Sequence, residues 1–365
     1  MKHGFKRHLF NKQQAMNYKL QTTNYKLKTK NRERGFTLFE LLTVIVILAV
    51  LVALTIPAVS GARRMTQRIS CLNHLRRIGA AFDAYAFSLG GYPPVRTVEE
   101  FPARSARNKN DRRKTYPAEH GWTYDLLPYM ELQAIHDAFD TSMPYYEGLQ
   151  NQRMMMKRLD DFQCPATPDK NRLAVMRYPS KQVVPSVLVS PPGEAKGCVT
   201  DYYVHHGGVL KPDGKIAANP LAYKNERTPG KNITDGLSMT ILVDEMAGRP
   251  THWRNGKRDD RTLNDYGTAE VETPECSVWG GIPSTKLRAW SADGRQAAVY
   301  ENGPMNFDRV LNATNNGVYS FHVRGANILV MDGSARFVYE DVAAEAYLSL
   351  STKDGGEPFR PADMR

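Results

Sequence analysis

No CxxC pair occurs in the 365 residues and no Cys/His cluster has zinc spacing, so the local signature of a zinc site is missing. A Gly-x-Ser-x-Gly elbow, a P-loop, a His-Glu-x-x-His helix and a Rossmann fingerprint are missing as well. Their absence removes the usual sequence warrants for a hydrolase, a nucleotide-binding enzyme, a metalloprotease or a dehydrogenase. EF-hand spacing is not found either. Acidic residues are scarce at one end: residues 1–35 hold ten Lys/Arg and a single acid, Glu33. That leader carries +9 of the chain's +11, which leaves about +2 for the other residues and takes most support from a nucleic-acid-binding reading of the whole chain. One further basic stretch, Arg104 to Lys114, has six Lys/Arg and one Asp but no interleaved aromatics for base stacking, so it reads as a solvated loop.

Only four cysteines are present: Cys71, Cys164, Cys198 and Cys276. In an exported domain an even number permits two disulfides with three connectivities; buried free thiols are the other reading.

What the chain does have is a long apolar run. Between Phe36 and Val59 the only charge is Glu40. The run is long enough to span a bilayer, and the basic residues before it put that side in the cytoplasm. It does not end in a good small-x-small cleavage site, because Arg63 and Arg64 follow closely. Instead Met65, Ile69, Leu72, Leu75, Ile78, Phe82, Tyr85 and Leu89 recur at three- and four-residue steps, the stripe of an amphipathic helix. "GGYPP" at 90–94 stops it. A single helix from Phe36 to about Leu89 would be roughly 80 Å long.

"GFTLFE" at 35–40, set between the basic leader and the span, resembles the processing motif of type IV prepilins and type II secretion pseudopilins. The resemblance implies cleavage after Gly35 by a prepilin peptidase, N-methylation of Phe36, an assembly role for Glu40 and a helix bend at Pro57. It also implies an inner-membrane protein of single pass, with other pilin-like subunits as partners. The leader is long; Met16 is a second candidate start, and the repeated "NYKL" at 17–20 and 24–27 reads as low-complexity basic sequence.

"SFHVRGANILVMDGSARF" at 320–337 resembles the His-x9-Asp-Gly segment (residues 322–333 here) of DUF1559, a family of prepilin-like proteins. Segments in the same order along the chain add to that likeness: the helical stretch 62–85, "GGYPP", "GWTYDLLPYMELQAIHDAFD", "FQCP" and "ITDGLSMTILVDE". The chain departs from the family's usual residues at His74, Leu132, Met239 and Val323–Arg324.

The fold expected is α+β and pilin-like: leader 1–35, membrane stem 36–59, amphipathic continuation 60–92, and a head over 93–365 whose antiparallel sheet covers the helix. "ANILVMDGSARFVY" reads as a two-residue hairpin turn at Asp332–Gly333, with "GVYSFH" as a third strand before it. "NITDGLSMTILVDE" reads as a turn at Asp235–Gly236 followed by a strand over 240–243 that ends in Asp244–Glu245. Residues 246–278 read as a long loop. His322, Asp332, Gly333, Asp235, Gly236 and Glu245 are the candidate binding residues of the head. Hairpin turns and strand-end hydrogen bonds are their structural reading, and calcium is the cation such oxygen donors would suit. His205–His206 beside Asp201 reads as a strand-end pair rather than a metal cluster, and the four tryptophans as core rather than glycan platforms. The function expected is a non-enzymatic pilin-like or pseudopilin-like subunit. The alternative is a processed, membrane-tethered protein that binds a ligand such as a glycan and does not polymerise.

Overall fold

The computed structural model describes residues 36–102, 115–177, 194–206, 209–210, 216–258, 274–285, 288–290, 297–299 and 317–356. The leader with Gly35, the basic stretch 104–114 and residues 259–273 lie outside the described residues. Two units are resolved, Met1–Val59 and Ser60–Arg365.

Helix α1 is one α-helix over Leu38–Leu89 with Pro57 inside it. It starts two residues later than the apolar pattern suggests because Thr37 caps it. In the first unit its side chains are apolar all round and exposed, for example Ile47 at 59% and Leu54 at 68%. This stretch is long and apolar enough to cross a membrane.

In the second unit the helix buries one face only. Cys71, Leu75, Ile78, Phe82 and Tyr85 are buried, while Met65, Ile69 and Leu89 of the expected stripe are exposed. The buried positions of the helix therefore run from Cys71 to Tyr85. Burying Leu75, Ile78 and Phe82 contributes about 1.5–3 kcal/mol each.

The principal strands are β1 (Arg96–Pro102), β2 (Thr115–Gly121), β3 (Leu173–Arg177), β4 (Glu194–Cys198), β5 (Tyr202–His205), β6 (Ile241–Glu245), β7 (Ser284–Thr285), β8 (Gly325–Val330) and β9 (Ala335–Tyr339). β1–β2 and β3–β4 are separate antiparallel pairs, and the central sheet has the order β7-β5-β6-β8-β9. Its pairs are antiparallel except β7, which runs parallel to β5, so the sheet is mixed rather than purely antiparallel.

The period-two alternation of β8 sorts its side chains between two cores. Leu329 joins Leu75, Ile78, Phe82 and Trp122 on the helix side. Ala326, Ile328 and Val330 face Tyr347 and Leu348 of the short helix Ala344–Ser349. Gly79 allows the close approach of helix and sheet: a Cβ there would sit 2.8 Å from Leu329 Cδ1 and 3.4 Å from the Gly333 backbone. Trp122 and Trp279 are fully buried, as core side chains; the Trp290 side chain lies outside the described residues.

Several local expectations change. The β8–β9 turn is longer than two residues. Val330 N–H donates to Ser334 O and Gly333 N–H to Val330 O, and only Gly333 takes a positive φ, +78°. This is the longer type of hairpin loop with glycine in the left-handed position. The segment before it is no strand; Tyr319 makes a single bridge to Met246. Residues 246–250 are buried instead of looping through solvent, with Arg249 at 0%. Asp244 and Glu245 lie within β6, not beyond its end.

Candidate functional site

At the start of α1, Thr37 and Glu40 bind each other reciprocally. Glu40 Oε2 accepts from Thr37 N–H and from its hydroxyl, both at 2.9 Å, and Glu40 N–H donates to Thr37 Oγ1 at 3.2 Å. Thr-x-x-Glu with Thr at the N-cap is a capping box, which satisfies amides that a helix start leaves open. The carboxylate that looks out of place in an apolar run thus has a local partner in the chain. Phe36, just before it, is 84% exposed.

In the head, four chain segments meet at one buried point. Cys71 comes from α1, where it lies four residues before Leu75 on the buried face. Cys164 sits after the short 3-10 turn Asp160–Phe162. Glu245 ends β6, on the same face as Val243, and His322 lies in the loop before β8. One donor atom from each falls within 4.8 Å of all the others. Cys71 Sγ is 2.8 Å from Cys164 Sγ and 3.9 Å from Glu245 Oε1. His322 Nε2 is 3.6 Å from Cys164 Sγ and 3.4 Å from Glu245 Oε1.

Other groups fix this constellation. Asn327 donates to Glu245 Oε2 from its backbone N–H at 2.9 Å and its side-chain amide at 3.0 Å, which leaves Oε1 turned toward the sulfurs. Asp201, fully buried, accepts from the Cys164 N–H at 2.7 Å and the Gly248 N–H at 3.0 Å. Arg172 grips the same carboxylate through two nitrogens at 2.8 and 2.7 Å and donates to Arg249 O at 2.7 Å. This bidentate pair anchors the Cys164 loop. One turn along the helix from Cys71, His74 meets Gln163 O at 3.1 Å.

Burial pushes both thiols up, Cys164 well above its ordinary value. Burial would pull His322 down, but the Glu245 carboxylate and Cys164 outweigh it and hold the imidazole at about 10. Burial would raise Glu245, and His322 beside it draws it below the ordinary carboxylate range. His322 and Glu245 therefore form a buried ion pair next to two neutral thiols.

The other candidate residues go elsewhere. Asp235 accepts from Gly355 N–H at 2.6 Å and Gly356 N–H at 2.9 Å, tying the Asp235–Gly236 turn to the segment after the last helix. Asp332 accepts from Ser334 N–H at 2.9 Å and pairs with Arg336 at 3.3 Å. The two Asp-Gly turns thus make structural hydrogen bonds, Asp332 locally and Asp235 to a distant segment, and do not join Glu245 and His322. His205 contacts Asp244, which also takes the Tyr347 hydroxyl, on the opposite face of β6 from Glu245. Cys71, Cys164 and Cys198 are free thiols; Cys198 donates to Met156 O at 3.0 Å, and Cys276 is half-buried.

Sequence reading missed the meeting of Cys71 and Cys164, the Asp201–Arg172 anchor and Asn327. A signal for Cys71 existed: it continues the 71, 75, 78, 82, 85 spacing backward.

A single membrane-length helix that runs on past its apolar stretch, joined to an α+β head, is the architecture of a pilin-like protein. The N-terminus carries the matching signature, because residues 30–56 match the prokaryotic N-terminal methylation motif. The chain belongs to the family described as protein of unknown function, DUF1559, which it matches over residues 60–345. It is 39% identical over 62 residues to the type II secretion system core protein G of Klebsiella pneumoniae, covering 17% of this chain and 44% of the relative. Over the same length it is 37% identical to the core protein G of Pectobacterium carotovorum subsp. carotovorum, covering 17% of this chain and 40% of that relative. The chain thus spans less than half the length of these relatives. No solved structure matches it.

Proposed function

We propose that this chain is a membrane-anchored structural subunit of a type II secretion or type IV pilus-like system. A prepilin peptidase cuts it after Gly35 and methylates the new amine of Phe36. The stem then holds it in the inner membrane with the N-terminus cytoplasmic and the head on the other side, where it packs with other pilin-like subunits. The observation that carries this reading is Glu40: it is the only charge between Phe36 and Val59, and it sits inside the stretch that matches the methylation motif.

A carboxylate in a bilayer is costly, on the order of 2.5–3.5 kcal/mol at the helix centre and less near the interface. Cutting the bond after Gly35 creates a cationic amine at the depth of that carboxylate. Pairing between the amine of one subunit and Glu40 of another offsets the cost and sets the axial register of the stems. The chemistry is thus done to the chain and not by it, and neither an enzymatic activity nor a nucleic-acid partner is part of this reading.

Mass spectrometry of the native N-terminus tests the processing step: methylated Phe36 is expected, and an intact segment 1–35 would refute it. Glu40→Ala tests assembly through recovery of filaments or secretion complexes. Recovery at the wild-type level would point to a tethered protein that is processed but does not polymerise.

A further inference from the structure

We propose that Cys71, Cys164, His322 and Glu245 form a structural binding site for one thiophilic divalent cation of the zinc class. Two sulfurs, one imidazole nitrogen and one carboxylate oxygen are the donor types zinc takes, and four protein ligands with no open position make a structural site rather than a catalytic one. The separations agree. Tetrahedral bonds of zinc to sulfur and nitrogen or oxygen require donor–donor distances of about 3.3–3.8 Å. Two of the pairs here, at 3.4 and 3.6 Å, fall in that range; Cys71 Sγ and Glu245 Oε1 at 3.9 Å lie just beyond it, and the two sulfurs at 2.8 Å need to part by less than a bond length to admit the ion.

Calcium and magnesium are excluded as natural occupants of this point, because two of the four donors are sulfurs and hard cations take oxygen. The surrounding shell is also of the kind a metal site uses: Asn327 orients the carboxylate by two hydrogen bonds, and Asp201 with Arg172 fixes the backbone of Cys164. An access route is present, since His322 lines a cleft of about 350 Å³ with Met65, Arg68 and Phe321.

On binding, the two thiols and the His322 imidazolium each give up a proton, and the ion takes the place of those protons. The result is a crosslink joining the helix, the Cys164 loop, the end of β6 and the loop that opens the His-x9-Asp-Gly segment. His322 then acts as a ligand, and the segment's Asp-Gly as the turn that closes the β8–β9 hairpin.

The test is metal analysis of the full-length protein, purified in detergent without chelator, together with its non-reduced mass and its alkylation pattern. Zinc at about one per chain is expected, with Cys71 and Cys164 protected from alkylation until a chelator is added. The double variant Cys71→Ser/Cys164→Ser should lose the zinc, and Cys198→Ser should keep it. Two measurements remain decisive if the double variant misfolds. Cobalt(II) added to the reduced, metal-stripped wild type should give sulfur-to-metal charge-transfer absorption. Asn327→Ala, with all four ligands in place, should weaken metal affinity by about 10–100-fold. A native Cys71–Cys164 disulfide, no charge-transfer band in the reduced wild type, or undiminished zinc in the double variant would each overturn the proposal.

Discussion

The first twenty-odd residues of α1 and the head reverse each other's distribution of polarity. Along Leu38–Val59 the helix shows Leu, Val and Ile on every side and keeps a single carboxylate. The head conceals Asp201, Asp244, Glu245, Arg172 and Arg249, each at 5% exposure or less. Soluble proteins rarely do either. The difference lies in what each region has for solvent. Apolar side chains facing outward are stable where the surroundings are lipid, and an α-helix satisfies its own backbone there. Charges facing inward are stable only where each has a fixed partner, and then they position loops that have no hydrogen-bonded strand to hold them.

That contrast is broken most severely at Asp201. Asp201→Ala leaves Arg172 buried without its carboxylate and removes the acceptor for the Cys164 and Gly248 amides. A loss of about 3–5 kcal/mol is expected in denaturant unfolding of the head, read in the detergent-solubilised chain. A loss below 1 kcal/mol would show that the Cys164 loop is held by other contacts.

A smaller effect separates two glycines of the same helix. Gly79→Val places its side chain against Leu329 and the Gly333 backbone and should cost about 1–3 kcal/mol. Gly61 has nothing within 4 Å of its Cβ direction, so Gly61→Val should change unfolding by a few tenths of a kcal/mol at most. Equal effects would mean that helix propensity, not packing, decides both.

On the apolar side, Thr37→Ala removes half of the capping box and should cost about 1 kcal/mol. Faster amide hydrogen exchange confined to the first turn of α1, in micelles, is the expected reading.

The smallest effect concerns pH. Burial raises the Glu119 carboxyl above its ordinary value against the pull of Arg96, 3.3 Å away. The folded state therefore holds this proton to higher pH than the unfolded chain does. Stability from this group is then lost as pH climbs from the ordinary carboxylate value through the folded one. Glu119→Gln should flatten the stability–pH curve over that interval alone; an unchanged curve would assign the slope to other groups.

How much of this was legible in the sequence depends on the distance over which the information is spread. The stem, its processing motif and the buried face of α1 are written in consecutive residues at periods of one turn, and they were read with errors of a few positions. The β8–β9 hairpin was placed correctly by Asp332–Gly333, but its turn length was not, because Asp-Gly suits both two-residue loops and longer ones with glycine at the left-handed position. The cluster was not legible as a unit. Cys71 and Cys164 are 93 residues apart and Cys71 and Glu245 are 174 apart. Only the packing of the helix on the sheet brings them together, so no spacing rule for local zinc motifs applies. The same holds for residues 246–250, whose glycine and proline content suggests a loop although Met246 and Ala247 are buried and joined by backbone bonds to Asp201 and Tyr319.

The capping box at the start of α1 bears on timing. A carboxylate that already takes two hydrogen bonds from Thr37 gains less from a new cation than a bare one would. In the proposed pathway, then, the stem that still carries its leader presents a carboxylate already occupied by Thr37 and no amine to pair with that of another stem. On that proposal, removing the leader would put a competitor for that oxygen one residue from its present donor. In the proposed pathway, premature association is checked by the same threonine that begins the helix.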